Sequence, residues 1–175
     1  PPIIEVDKQM FPVKEYYLEN AISMMEEFAG CDELDCDMLL SKPRVPGLFH
    51  RRKFFAEFIA YLHRHHPIIS KNKTMSILVF LPGLSTITEL HDDLERLLLP
   101  VEDFELFVLH STVPISDQHL AIRAPPKHKR KFILATNIAE SSITIPDVRV
   151  VIDSCLHKEI TWDERSQTKS LDVVW

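Results

Sequence analysis

Four short runs constrain this chain more than any other feature: those within "SILVFLPG", "FELFVLH", "RKFILAT" and "VRVVIDSC", beginning at Ser76, Phe104, Arg130 and Val148. A strand with one wet face alternates apolar and polar residues. The first of these runs is apolar without interruption, the pattern of a strand covered on both faces in a parallel sheet between helices. Helical spacing separates them. In "LSTITELHDDLERLLL", Leu84, Ile87, Leu90, Leu94 and Leu97 step by three or four, and Thr86 with Glu89 is expected to form a capping box. "ISDQHLAIR" reads as a short helix capped by Ser116 and ended by Pro125-Pro126. Strand, helix, strand, helix, strand, polar link, strand predicts an α/β fold with a mostly parallel sheet flanked by helices. The tail "KEITWDERSQTKSLDVVW" adds a C-terminal β-hairpin turning around Asp163–Thr168.

Upstream, "IIEVDKQMFPVKEYYL" is β-branched and aromatic and predicts extended segments broken at Pro12. "ENAISMMEEFAG" predicts a helix with Ala21, Met24, Met25 and Phe28 on one face and Gly30 as its stop. "CDELDCDMLLSKPRVPG" reads as a loop or short acidic helix. "LFHRRKFFAEFIAYLHRHH" predicts a helix with Phe54, Phe55, Phe58, Ile59 and Leu62 inward, opposite Arg51, Arg52, Glu57 and Arg64.

A chain of 175 residues suits one domain, and 45% hydrophobic with 26% charged residues is enough to build a core. No apolar run is long enough to span a bilayer, so no membrane is expected as a partner. The start at Pro1-Pro2 is that expected of a fragment. Cys31, Cys36 and Cys155 do not suggest a disulfide framework, which favours a reducing compartment, cytosol or nucleus.

A net charge of −6 argues against non-specific polyanion binding by the whole surface. The charges are segregated, however. Acids crowd residues 15–40 without a lysine or arginine, whereas residues 42–73 are basic with a single acid, Glu57. Arg123 and Lys127-His128-Lys129-Arg130-Lys131 form a second basic cluster. Each cluster fits either a solvated face or a local patch that meets a polyanion.

In open α/β sheets, ligands sit at the carboxyl ends of the strands. Pro82-Gly83, His110-Ser111-Thr112 and the glycine-free link Thr136–Thr144 are expected there. Hydroxyls and backbone N–H groups gathered at strand ends suit phosphates or a sugar–phosphate backbone.

In order and spacing, "ILVFLPG", "LHS" and "ATNIAESSITIPDV" followed by "VID" resemble motifs IV, IVa and V of the DEAH/RNA helicase A family of ATP-dependent RNA helicases. Gln118 and "PPKHKRKFILAT" resemble the family's Gln and Pro-x-Gly-x-Arg-Lys, with the glycine replaced. "FPVKEYYL" resembles the strand entering this domain from the preceding one. The likeness implies a second RecA-like domain over residues 74–175, an incoming segment over 1–19, and a helical, charge-segregated segment over 20–73. It further implies that Gly83, Ser111, Thr136 and Asn137 bind RNA, and that Glu140, Ser141 and Ser142 lie near the nucleotide. ATP and Mg²⁺ would serve the full-length parent, RNA and the first RecA-like domain would be partners, and residues 20–73 would offer a surface to a protein partner. "SSITIPDV" with "VIDSCL" resembles the germline, tudor-containing spindle-E type, which acts with small RNAs. The expected location is cytoplasm, ribonucleoprotein granules or nucleus.

The sequence has no G-x-x-x-x-G-K-[ST] loop and no D-E-x-H, and it stops before motif VI, so no catalytic residue is expected within it and none is expected to turn over ATP alone. The alternative is a catalytically inactive, helicase-derived scaffold in a ribonucleoprotein complex. Cys31, Cys36, His50, His63, His65 and His66 match structural zinc spacings poorly, so no metal site is expected and a solvated histidine cluster is preferred. His110 reads as a hydrogen-bonding loop residue, and Asp147 and Asp153 as capping or turn residues. Ser141 beside Glu140 lacks a histidine to activate it.

Overall fold

The computed structural model describes residues 11–29, 45–72, 74–99, 103–123, 128–137, 145, 147–163 and 167–174. The chain divides into two compact units, residues 1–42 and 43–175. In the first, α1 spans Leu18–Ala29, and Ala21, Ile22 and Met25 are its buried residues. Residues 12–17, expected to be extended in a strand, carry no regular structure. Pro12 brings no N–H, and the chain is already turning: Tyr17 O accepts Asn20 N at 3.0 Å, and Tyr17 N donates to Asn20 Oδ1 at 2.9 Å.

The second unit is the expected α/β layered fold. Helix α2 (Val45–Arg64) leads to β1 (Ser76–Phe80), α3 (Leu84–Leu98), β2 (Phe104–Leu109), α4 (Ile115–Ile122), β3 (Arg130–Ala135) and β4 (Val148–Asp153). The antiparallel hairpin of β5 (His157–Asp163) and β6 (Thr168–Val174) follows. The four-stranded sheet runs β2-β3-β1-β4, all parallel, with Leu78 opposite Ile133 and Ile133 opposite Phe107.

The topology explains the uninterrupted apolar runs. The chain steps outward from β1 to β2 through α3, then returns to β3 through α4. Right-handed crossovers in opposite directions put those helices on opposite faces. On one face Ile77, Val79, Phe132, Leu134 and Ile152 pack with Ile59 of α2 and Ile87, Leu90, Leu94 and Leu98 of α3. On the other, Leu78, Leu109, Ile133 and Ala135 pack with Ala121 of α4. Successive residues of β1 and β3 therefore enter different cores, and each buried aliphatic contributes about 1.5–3 kcal/mol.

Several local expectations are corrected. Thr86 and Glu89 form no capping box, because the N-cap is Gly83 and Thr86 falls at the third helical position. Ser116 is not a cap either: Pro114 takes that position and Ser116 Oγ bonds Asp117 Oδ1. Leu98, not Leu97, completes the inner face of α3, and Leu84 and Leu97 are exposed. Helix α2 begins at Val45, with Pro46 in its first turn, where its missing N–H is harmless. Arg52 is not on a solvent face. It bridges to Asp93 at 2.7 Å and to Glu89, tying α2 to α3.

The largest correction concerns the basic cluster before the polar link. Arg130 and Lys131 are fully buried and cannot meet an outside polyanion. The Lys131 ammonium donates to Ala121 O at 2.9 Å, Arg123 O at 2.7 Å and Asp147 Oδ1 at 2.9 Å. Its three N–H groups are thus satisfied by the last carbonyls of α4 and one carboxylate, which also accepts Ser76 Oγ. Arg130 donates to His63 Nδ1 at 3.0 Å, Met75 O at 2.9 Å and Ile69 O. An arginine N–H can only donate, so His63 Nδ1 accepts, and Nε2–H faces Asp103 Oδ1 at 2.9 Å. Burial lowers the Arg130 pKa and Asp103 raises it in part. His63, expected in a solvated cluster, is fully buried with both ring nitrogens engaged. Cys31, Cys36 and the His50 side chain lie outside the described residues.

Candidate nucleic-acid interface at the carboxyl ends of the strands

Each sheet strand hands its ladder on by one bond at this end. Leu81 N donates to Ala135 O at 2.8 Å, Thr136 N to Leu109 O at 3.3 Å, and Ser154 N to Phe80 O at 3.2 Å. The loops after β1, β2, β3 and β4 therefore start level with one another. Gly83, Ser111, Thr136 and Asn137 lie at this one end, on loops from three adjacent strands. Glu140, Ser141 and Ser142 lie outside the described residues.

Thr136, one residue beyond β3, is 8% exposed, whereas Asn137 and Ser111 are open to solvent. The Ser111 loop is closed by Val113 N donating to His110 O at 3.0 Å. His110 Nδ1 accepts Thr112 N at 3.2 Å and lies 2.9 Å from Thr112 Oγ1, as suits a loop-bracing histidine. Gln118 of α4 donates to His110 O at 3.2 Å and Val113 O at 2.7 Å, so one amide group holds both ends of the turn. The sequence drew attention to Gln118 but assigned it no task; an amide one turn into a helix behind a hydroxyl-bearing loop was the available signal.

Gly83 has φ 177° and ψ 172°, extended backbone that any residue adopts. A Cβ there would stand 2.7 Å from Lys158 Cε, the end of a flexible side chain that can swing aside. Lys158 of β5 was not among the expected site residues. Farther along this end, Asp153 Oδ1 accepts Cys155 N at 2.8 Å and makes a turn. Burial and, secondarily, Asp153 push the Cys155 thiol pKa up, which disfavours a nucleophilic thiolate at neutral pH. Ser111 and Asn137 thus offer an exposed hydroxyl and an exposed amide to an extended anion, while Gly83 and Thr136 are buried.

The helicase conserved C-terminal domain model matches residues 57–169. The ATP-dependent RNA helicase DHX30 of Homo sapiens is 33% identical over 175 residues, covering 99% of this chain and 14% of that protein. A Culex quinquefasciatus protein named "Probable ATP-dependent RNA helicase spindle-E" is 40% identical over 185 residues, covering 99% of this chain and 12% of that protein. Among solved structures, the E. coli DExH-box NTPase HrpB superposes with a TM-score of 0.62 at 29% identity, over 78% of this chain and 15% of that one. The chain thus spans about a seventh or less of the relatives it matches. Among the described residues no helix is long and apolar enough to cross a membrane. With this match and this sheet, the chain belongs to the helicase conserved C-terminal domain family, as the second RecA-like domain of the DExH-box RNA helicases.

Proposed function

We propose that this domain grips the backbone of single-stranded RNA at the carboxyl ends of β1, β2 and β3. On this reading it forms half of an ATP-driven motor with the first RecA-like domain. The observation that carries the reading is the convergence of Gly83, Ser111, Thr136 and Asn137 on one end of the sheet. Neutral donors on loops anchored to a packed sheet hold phosphates and riboses without reading bases, as a translocating enzyme requires. ATP hydrolysis would supply the cycle of cleft closure and opening. Glu140, Ser141 and Ser142 would face the nucleotide, a role resting on the family resemblance, and Mg²⁺ would be held with the phosphates mainly by the partner domain.

In the full-length protein, Thr136→Ala is expected to weaken single-stranded RNA binding by up to about tenfold, one hydrogen bond's worth, with the melting curve preserved. Unchanged affinity at matched salt would count against the grip.

Two finer readings go with this one. Residues 20–73 would meet a protein partner; deleting 30–44, which spares both helices, is expected to abolish that association. The spindle-E likeness supports work with small RNAs in the germline, and small RNAs recovered with the full-length protein would test it.

A further inference from the structure

The β5–β6 hairpin has two unlike faces. Side chains alternate along a strand, and directly opposed residues share a face. Lys158, Ile160 and Trp162 therefore share one face with Val173 and Lys169, while Glu159 points to the other. At the base of the first face the Lys158 stem lies along Gly83, with Nζ 2.8 Å from where a Cβ would stand. The flexible end of Lys158 thus lies against Gly83, just beyond the carboxyl end of β1.

The seat does not stabilise the ammonium by pairing. Among the described residues no carboxylate lies within ion-pair distance of Lys158. Gly83 is also the N-cap of α3, whose first turn has no acid, so a positive charge is laid against the positive end of a helix. That contact disfavours the fold slightly and favours an incoming anion. The expected RNA contacts on the neighbouring loops, Ser111, Thr136 and Asn137, are all uncharged. The basic residues nearest in sequence, Arg130 and Lys131, are buried.

We infer that Lys158 supplies a cation to the RNA interface: lying against Gly83, its ammonium takes a backbone phosphate at the end of β1. The inference rests on the proposed RNA grip and adds to it a residue from outside the motif loops. A lysine acts here as a point charge, so the contact adds affinity and salt dependence without base preference.

The test is fluorescence anisotropy of the full-length protein on a labelled oligouridylate across a salt series. Releasing one phosphate contact from a single strand reduces the slope of log affinity against log salt by about 0.7. Lys158→Ala is expected to show that reduction, Lys158→Arg to restore the slope, and Thr136→Ala to weaken binding with the slope intact. A Lys158→Ala slope equal to that of the parent, while Thr136→Ala still weakens binding, overturns the Lys158 inference alone. So does a Lys158→Ala protein whose ATP affinity changes while its RNA slope does not. No salt-dependent binding by the parent overturns both this inference and the grip. Lys158 is solvent-exposed on a hairpin, and matched melting curves establish that the variants are folded.

Discussion

The two ends of the sheet use positive charge in opposite ways. At the amino end, Arg130 and Lys131 are sealed from water and every donor described for Lys131 meets a protein acceptor. At the carboxyl end, Lys158 lies in the open without a described carboxylate, among neutral donors. The lesson is that basic residues next to a candidate binding loop need not face solvent. Here the adjacent cations fix the strand that carries Thr136, and the cation facing outward comes from a later hairpin.

The strongest way to break this contrast is to remove a buried cation. Lys131→Met strands Asp147 and uncaps α4, and is expected to destabilise the domain by about 3–5 kcal/mol in denaturant titration. Lys158→Ala should stay within about 0.5 kcal/mol of the parent. Equal losses would erase the distinction between the two ends.

The features the sequence revealed and those it hid divide along the same line. β1 and β3 were legible because residues entering two cores leave an unbroken apolar run, and α3 because Ile87, Leu90 and Leu94 keep one face. The loops of Gly83, Ser111 and Thr136 were legible as strand ends. Helix caps were not: a threonine three residues before a glutamate looks like a capping box wherever the helix begins, and here Gly83 is the N-cap. Arg130 and Lys131 were hidden because a buried charge reads in sequence like a surface charge. Lys158 was hidden because its contact with Gly83 depends on how the hairpin folds back.

A second, smaller test sharpens the picture of the amino end. His66 Nδ1 accepts the N–H groups of Ile68 and Ile69 at 3.4 and 3.3 Å, and desolvation lowers its pKa. The unfolded chain therefore takes up the proton first as pH falls. The stability this contributes is present above the ordinary imidazole value of about 6.5 and declines below it, down through the lowered folded value. Denaturation midpoints should fall on acidification from pH 7.5 to 5.5, and His66→Gln should flatten that dependence. A midpoint that rises on acidification would contradict the hydrogen-bonding pattern.

A further, moderate effect on stability is expected at the turn beside the candidate interface. Gln118→Ala removes two hydrogen bonds at the turn carrying Ser111 and should cost about 1–2 kcal/mol. RNA affinity should fall severalfold at constant salt slope, since no charge is lost. An unaltered affinity would show that the turn keeps its shape without the amide.

The strand order β2-β3-β1-β4 gives the loops unequal mechanical footing. β1 and β3 have a neighbour on each side, so the strands leading to Gly83 and Thr136 are held along both edges. β2 lies at the margin of the described sheet, and its loop is steadied by Gln118 of α4. A tilt of α4 would therefore reach Ser111 before Thr136, and the proposed grip would give way first at the β2 loop.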